Sequence, residues 1–135
     1  MQNSFSATFH LGTFASSVLT CTYLFHQETD ATGNAVAKVL SGDIELLIEG
    51  SDDTLPLAWA ADPMHKMDGE IIFFQGDERF GVAERLSFTE GSCVSYTEIF
   101  EPMHPISSYL YRLKIVANKL VLNGLEHSND WPDQV

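Results

Sequence analysis

Histidine and cysteine are the first residue types to consider for metal or nucleophilic chemistry in this chain. The two cysteines, Cys21 and Cys93, are far apart and lack C-x-x-C spacing, so they predict neither a redox pair nor a disulfide framework. None of the histidines pairs with another histidine or with a cysteine at the spacing of a metal motif. We therefore expect no metal site and no cofactor. The five histidines are His10, His26, His65, His104 and His127.

Cys93 has a sequence context that superficially resembles that of a nucleophilic thiol. It follows Gly91 and Ser92. However, Cys93 opens a predicted strand and shares its face with Ser95 and Thr97, which favours a structural role. The sequence also lacks a G-x-S-x-G elbow, a phosphate-binding loop and a dinucleotide fingerprint. We therefore assign no catalytic residue and predict that the protein is not an enzyme.

Three carboxylates share one face of a predicted strand. They belong to Asp43, Glu45 and Glu49. Paired carboxylates can hydrolyse glycosides, but a solvated face or an electrostatic interface is the favoured interpretation. Arg112 and Lys114 project from one side of a later strand, where they could meet such carboxylates on a neighbouring subunit. Ordinary surface charge is the alternative for these two cations.

The overall charge limits the classes of partner. The chain of 135 residues has 19 acidic and seven basic side chains, with a formal net charge of −12. Nucleic acid and anionic membrane surfaces are unlikely partners because both require clustered Lys and Arg. No apolar run reaches the ~20 residues of a membrane span, and no secretory signal is recognisable. We expect one domain over residues 1–135, made in the cytoplasm, with any export by a route that accepts folded proteins.

The strands that hold these residues are predicted from apolar positions that alternate with polar ones. Further strands are predicted at 4–10, 69–75, 81–90, 92–100, 107–117 and around 119–122. The pattern indicates a mainly β protein with an aromatic and β-branched core. The two clearest apolar faces are Leu19, Cys21, Tyr23 and Phe25 on one strand, and Leu40, Ile44, Leu46 and Ile48 on the next.

One segment, residues 53–63, predicts a short helix instead. Asp53 can cap the first amides, Pro56 is tolerated in the first turn, and Pro63 ends the helix. Leu55 and Trp59, at i and i+4, form an apolar face and are predicted to belong to the core. We expect the helix to pack against or cap a β-barrel.

The connection at residues 28–37 is longer than a hairpin turn requires. A long loop of this kind is usually functional or disordered. Asp30 and Gly33 are turn formers that would shape it locally.

Several stretches in this order resemble the type VI secretion tube protein, or haemolysin-coregulated protein, most closely the form found in Bacteroidetes. The resemblance implies a barrel of two β-sheets with one helix and no catalytic residues. It also implies hexameric rings that stack into a tube, which a contractile sheath expels together with spike and effector proteins. The stretches lie at 4–9, 21–33 (CTYLFHQETDATG), 41–49 (SGDIELLIE), 53–63, 86–88 (LSF) and 93–96 (CVSY), and end with Glu126-His127 and Trp131.

The same resemblance gives the long loop a role, which is to reach an adjacent ring. The residues that it implicates are Asp30, Thr32, Gly33, Asn34, Ala35 and Val36.

Three other functions remain open at this stage. The first is a tube protein of another contractile device, such as a phage tail or an extracellular particle. The second is a ligand-binding β-barrel of the lipocalin kind, although such chains usually have a Gly-x-Trp near the first strand and here the tryptophans are Trp59 and Trp131. The third is a hydrolase that uses Glu45 or Glu49.

Overall fold

The computed structural model describes residues 5–26, 40–75, 82–105 and 108–124. Within these ranges the chain forms six strands and a helix, and no helix there is long and apolar enough to cross a membrane. The elements in chain order are β1 (Phe5–Leu11), β2 (Phe14–His26), β3 (Leu40–Glu49), α1 (Leu55–Ala61), β4 (Met67–Gln75), β5 (Val82–Phe100) and β6 (Tyr109–Gly124).

The strands close into an antiparallel barrel with the order β1-β2-β3-β6-β5-β4. The barrel consists of two sheets. The long strands β2, β5 and β6 each contribute one segment to either sheet. Sheet I contains β1, β4 and the adjoining segments 14–17 of β2, 82–90 of β5 and 118–124 of β6. Sheet II contains β3 and the segments 18–26 of β2, 109–117 of β6 and 91–100 of β5. The predicted mainly β, two-sheet barrel with one short helix is confirmed.

The strands β5 and β6 pass from one sheet to the other at a shared corner. Glu90 has a φ of 54°, its N–H donates to Asp68 Oδ1 at 2.9 Å, and its Oε1 accepts from Asn118 Nδ2 at 2.7 Å. A Cβ at Gly91 would lie 2.7 Å from Phe88 Cδ1, so glycine allows this close approach. The prediction of separate strands on either side of Gly91 and Asn118 is wrong, because pairing continues through the corner.

The alternation of apolar and polar residues places the core as expected on β3. Ile44, Leu46 and Ile48 are all at most 1% exposed. On β2, Cys21, Tyr23 and Phe25 pack against the core as predicted. The fourth residue that packs there is Val18 and not the predicted Leu19. The register with β3 shifts between Val18 and Thr20, so that the bulge turns Leu19 out of the predicted face.

The helix packs its apolar face against β5. Asp53 Oδ1 accepts the N–H of Leu55 at 2.9 Å, although Thr54 occupies the N-cap position without a side-chain bond. Trp59 is fully buried, and its Nε1–H donates to the carbonyl oxygen of Gly91 at 3.0 Å. Leu55 is half-buried against the same core.

Candidate functional site

The charged residues selected from the sequence lie on the outer face of sheet II. Asp43, Glu45 and Glu49 alternate with the buried residues of β3. In the register with β6, Glu45 is opposite Lys114 and Leu47 is opposite Arg112. The structure therefore brings the acidic and basic residues together on one surface of a single chain.

Because Glu45 lies opposite Lys114, each of the two side chains has a possible partner of opposite charge within its own chain. Directly opposite side chains in a sheet have Cβ atoms about 4.5–5.5 Å apart, within reach of each other. Among the described residues, however, Glu45 and Lys114 form no ion pair within 4.0 Å, whereas His26 Nε2 lies 3.7 Å from Asp43 Oδ2. Both Glu45 and Lys114 thus remain available to a neighbouring subunit, and the pairing across subunits stays a prediction.

Among the described residues, sheet II has two edges at which no further strand pairs, and we call them its open edges. The register of β1 with β2 covers only residues 14–17 of β2, so the described structure leaves 18–26 paired on the β3 side alone. The register of β4 with β5 likewise ends at Gly91, which leaves 92–100 paired on the β6 side alone. Open edges expose backbone donors and acceptors that can pair with another chain.

A group of tyrosines surrounds a carboxylate where β5 ends and β6 begins. The Tyr96 hydroxyl donates to Glu98 Oε2 at 2.8 Å, and the Tyr109 hydroxyl donates to Glu98 Oε1 at 3.0 Å. The Tyr111 hydroxyl donates to the carbonyl oxygen of Ser51 at 2.6 Å. The bond to Glu98 raises the pKa of Tyr109 to about 12, and burial followed by the bond to Glu98 raises that of Tyr96.

The bond of Tyr109 to Glu98 ties β6 to β5 just before the connecting hairpin, whereas the bond of Tyr96 to Glu98 lies within β5. Sequence reasoning missed this cluster. Its signal was the i, i+2 spacing of Tyr96 with Glu98 and of Tyr109 with Tyr111, which places each pair on one strand face.

The hairpin that follows, residues 100–105, exposes apolar side chains. Phe100 is 71% exposed and Met103 is 90% exposed. Pro102 and Pro105 are exposed beside them. Two large apolar groups at the tip of the two longest strands are typical of a contact surface.

The remaining sequence predictions give no further site within the described ranges. No group of three or more His, Cys, Asp or Glu side chains there could hold a metal ion. Cys93 is 8% exposed and its Sγ–H donates to the carbonyl oxygen of Ser95 at 3.3 Å. Burial raises the pKa of the Cys93 thiol, which makes it a poor nucleophile. The loop residues Asp30, Thr32, Gly33, Asn34, Ala35 and Val36 lie outside the described residues, as do His127 and Trp131.

Comparison with known proteins identifies what the fold is similar to. The structure of Hcp1 from Flavobacterium johnsoniae superposes with a TM-score of 0.71 at 26% identity, and the match covers 88% of this chain and 95% of that one. Hcp1 from Salmonella typhimurium gives 0.69 at 8% identity over 92% and 89%. A chain of the PVC sheath-tube complex, an extracellular contractile injection system, gives 0.53 at 14% identity over 88% of each chain.

The similarities to the Salmonella typhimurium protein and to the injection-system chain show only a shared fold. No curated protein matches. A model of one family, described as Hemolysin coregulated protein Hcp (TssD), matches residues 3–132 of the chain. The resemblance seen in the sequence is therefore confirmed, and the chain belongs to the TssD family of haemolysin-coregulated proteins.

Proposed function

We propose that this chain, a type VI secretion tube protein by its family, assembles into six-membered rings that stack and are expelled together with effectors. Family membership over residues 3–132 is the observation that carries this function. The rings would be made in the cytoplasm and leave through the type VI apparatus. The sheath and the spike would be the other partners, and the chain would have no catalytic role.

The open edges of sheet II support a ring. They lie on opposite sides of one sheet and belong to different strands, β2 and β5. A contact between two different surfaces of identical subunits is heterologous, and it closes into a ring when the rotation is right. The outward-facing Glu45 and Lys114 offer charges of opposite sign next to these edges.

The described interior argues against a ligand-binding barrel. Phe9, Ile44, Trp59, Leu86 and Ile115 are fully buried inside it and fill the space that a ligand would need. The tube of an extracellular injection system remains the second candidate, because its fold is similar. The genes beside this one would distinguish the two kinds of tube.

We expect the purified protein to be a homohexamer. Native mass spectrometry over the micromolar range should show a six-copy mass, and negative-stain electron microscopy should show rings. A matched sample in mild denaturant would give the monomer mass for reference. Monomer as the sole species throughout the micromolar range would contradict the proposed function.

We also expect added salt to promote assembly. A net charge of −12 on each chain gives 6 × −12 = −72 for a hexamer, and this charge opposes association unless counterions screen it. Light scattering at increasing sodium chloride concentration measures the effect, with sucrose at equal osmolality as the control. Assembly that weakens with salt would show instead that salt bridges between subunits outweigh the repulsion.

A further inference from the structure

We infer that Trp131, in the segment that follows β6, lies in an apolar slit between β1 and β2 of the same chain and closes one side of its core. The inference goes beyond the proposed function and does not depend on it, because a subunit can close its own core whether or not it joins a ring. The occupant belongs to residues 125–135, which come after Gly124, the last residue that the structure describes.

One side of the core is open within the described residues. On β3 the inward side chains of Ile44, Leu46 and Ile48 are at most 1% exposed. The inward side chains along residues 18–26 of β2 are only half-buried, and so are those at the end of sheet I that is nearest to them. A segment that covers these side chains is stabilised by the hydrophobic effect. They are Cys21, Tyr23 and Phe25 on β2, with Ala7, Phe73 and Leu122 in sheet I.

The opening widens into a slit where β2 leaves β1. Pairing between these strands stops at Thr8 and Ser17, and β2 then continues along β3. The volume of the slit is about 210 Å³, and no charged side chain lines it. A cavity of about 150 Å³ accepts a benzene ring, so the slit has room for one aromatic side chain. Cys21 and Phe73 are among the residues that line it.

The opening runs from the slit toward the end of β6. Glu84 lies opposite Gly124 in sheet I, and burial followed by the charge of Glu84 raises the pKa of Tyr23 on β2. Tyr23 and Glu84 therefore lie near each other on the two sides of the opening, close to where the 125–135 segment begins. Tyr23 also packs edge-on against Phe25, with ring centroids 5.7 Å apart. A segment that leaves Gly124 can follow this aromatic rim to the slit.

The slit is within reach of Trp131. Gly124 is opposite Glu84, Glu84 is opposite Phe73, and Phe73 is opposite Ala7 at the slit. Neighbouring strands are about 4.8 Å apart, so Gly124 and Ala7 are about 14 Å apart across sheet I. Seven residues lead from Gly124 to Trp131, which is an extended span of up to about 23 Å. The chain is therefore long enough to bring the indole into the slit.

Trp131 is the residue of the segment that suits the slit. It is the only aromatic residue among 125–135, and Leu125 follows Gly124 too closely to reach that far. The family model matches as far as residue 132, so the part of the segment that contains Trp131 belongs to the same domain as the barrel. A buried indole N–H needs an acceptor, and the hydroxyls of Ser6 and Thr20 at the slit can provide one.

The rate at which Cys21 is alkylated tests the docking. Cys21 lines the slit and is half-buried, whereas Cys93 is 8% exposed and reports on unfolding of the whole subunit. We expect Trp131→Ser to speed the reaction of Cys21 with iodoacetamide roughly tenfold, the factor given by a docked state about 1.4 kcal/mol more stable than the open one. Mass spectrometry of the two cysteine peptides measures both rates, and Cys93 should remain unreactive. The matched control is Val135→Ser, which changes an apolar residue of the same segment beyond residue 132 and should react at the parental rate.

A disulfide within the chain tests the position of residue 131 directly. Trp131→Cys places a thiol where the indole would lie beside Cys21. Mild oxidation with copper–phenanthroline should join the two thiols within one chain, so that the protein runs as a monomer on a non-reducing denaturing gel and loses the mass of two hydrogens. The control Cys21→Ser/Trp131→Cys should form no disulfide within the chain.

Three results would overturn the inference. Equally fast alkylation of Cys21 in the parent protein and in Trp131→Ser would show that Trp131 does not cover the slit. Protection of Cys21 that appears only at concentrations where hexamers form, or a disulfide in Trp131→Cys that joins only different copies, would make a neighbouring chain the occupant. If Trp131→Ser makes Cys93 reactive as well, the subunit has unfolded, and the disulfide in Trp131→Cys then decides alone. None of these results bears on the ring, because hexamer formation is measured separately.

Discussion

Trp59→Ala is expected to lower the free energy of unfolding of the subunit by about 3–5 kcal/mol, the usual cost of deleting a buried large aromatic side chain. Trp59 is fully buried, and its ring stacks on Phe88 with centroids 6.1 Å apart and planes 6° apart. Phe88 in turn stacks on Phe9 at 6.4 Å. Removing the indole therefore opens a cavity at the end of a continuous aromatic stack.

A hydrogen bond adds to this effect. The Nε1–H of Trp59 donates to the carbonyl oxygen of Gly91, at the corner where β5 changes sheet. Loss of the donor leaves a buried carbonyl unsatisfied, which costs about 1–3 kcal/mol. Trp59→Phe keeps an aromatic ring but not the donor, so we expect a loss between those of wild type and Trp59→Ala.

Chemical denaturation with urea measures these losses. Leu57→Ala is the matched control, because Leu57 lies on the same helix and is 46% exposed. It should cost much less than Trp59→Ala. Ring formation should fail in Trp59→Ala only under conditions where the subunit itself unfolds. An unfolding midpoint unchanged in Trp59→Ala would mean that the helix does not anchor the barrel.

The regular parts of the fold could be predicted because their signals are local. On β3 the alternation of Ile44, Leu46 and Ile48 with acidic residues identifies the buried face. At the helix, Pro56 and the i, i+4 pair of Leu55 and Trp59 are enough to identify a short amphipathic element. Each of these patterns depends on neighbours within a few residues.

The corners of the barrel could not be predicted because they depend on distant contacts. Gly91 has the appearance of a strand break, yet pairing with β6 continues past it and the glycine instead accommodates Phe88. The bulge that turns Leu19 outward is likewise set by the register with β3. A sequence pattern contains no information on which strand will lie opposite.

The candidate interfaces also combine features that local sequence predicts with features that depend on strand pairing. The outward positions of Glu45 and Lys114 follow from alternation, but their direct opposition in one chain follows from the register of β3 with β6. The open edges of sheet II depend on where β1 and β4 stop pairing.

Shortening the loop at residues 30–36 to a Gly-Ser turn is expected to abolish ring stacking and secretion while leaving the subunit and its hexamer intact. The flanking strands are already paired, since His26 is opposite Ser41. Joining them requires only about two to five residues, so the strands should tolerate the deletion. The shortened connection leaves the register of β2 with β3 unchanged.

The composition of the loop gives the reason for the expected loss. Asp30, Thr32, Gly33 and Asn34 favour turns, whereas Ala35 and Val36 form a small apolar end. Such a segment can remain soluble on a free ring and bury its apolar end on contact with another. The β2 and β3 ends that flank it lie at the opposite end of sheet II from the 100–105 hairpin.

Electron microscopy of ring and tube populations, with a secretion assay in the native host, tests the prediction. In a control variant, residues 30–36 are replaced by Gly and Ser, so that the loop keeps its length but loses its apolar end. Comparison with the shortened protein shows whether stacking requires the length of the loop or its apolar end. If the apolar end makes the contact, both variants should form rings but no tubes, and neither should be secreted. If length alone matters, only the shortened protein should fail. Stacking and secretion of the shortened protein at the parental level would make the loop a simple connector, and contacts between rings would then have to come from the strand ends of the barrel.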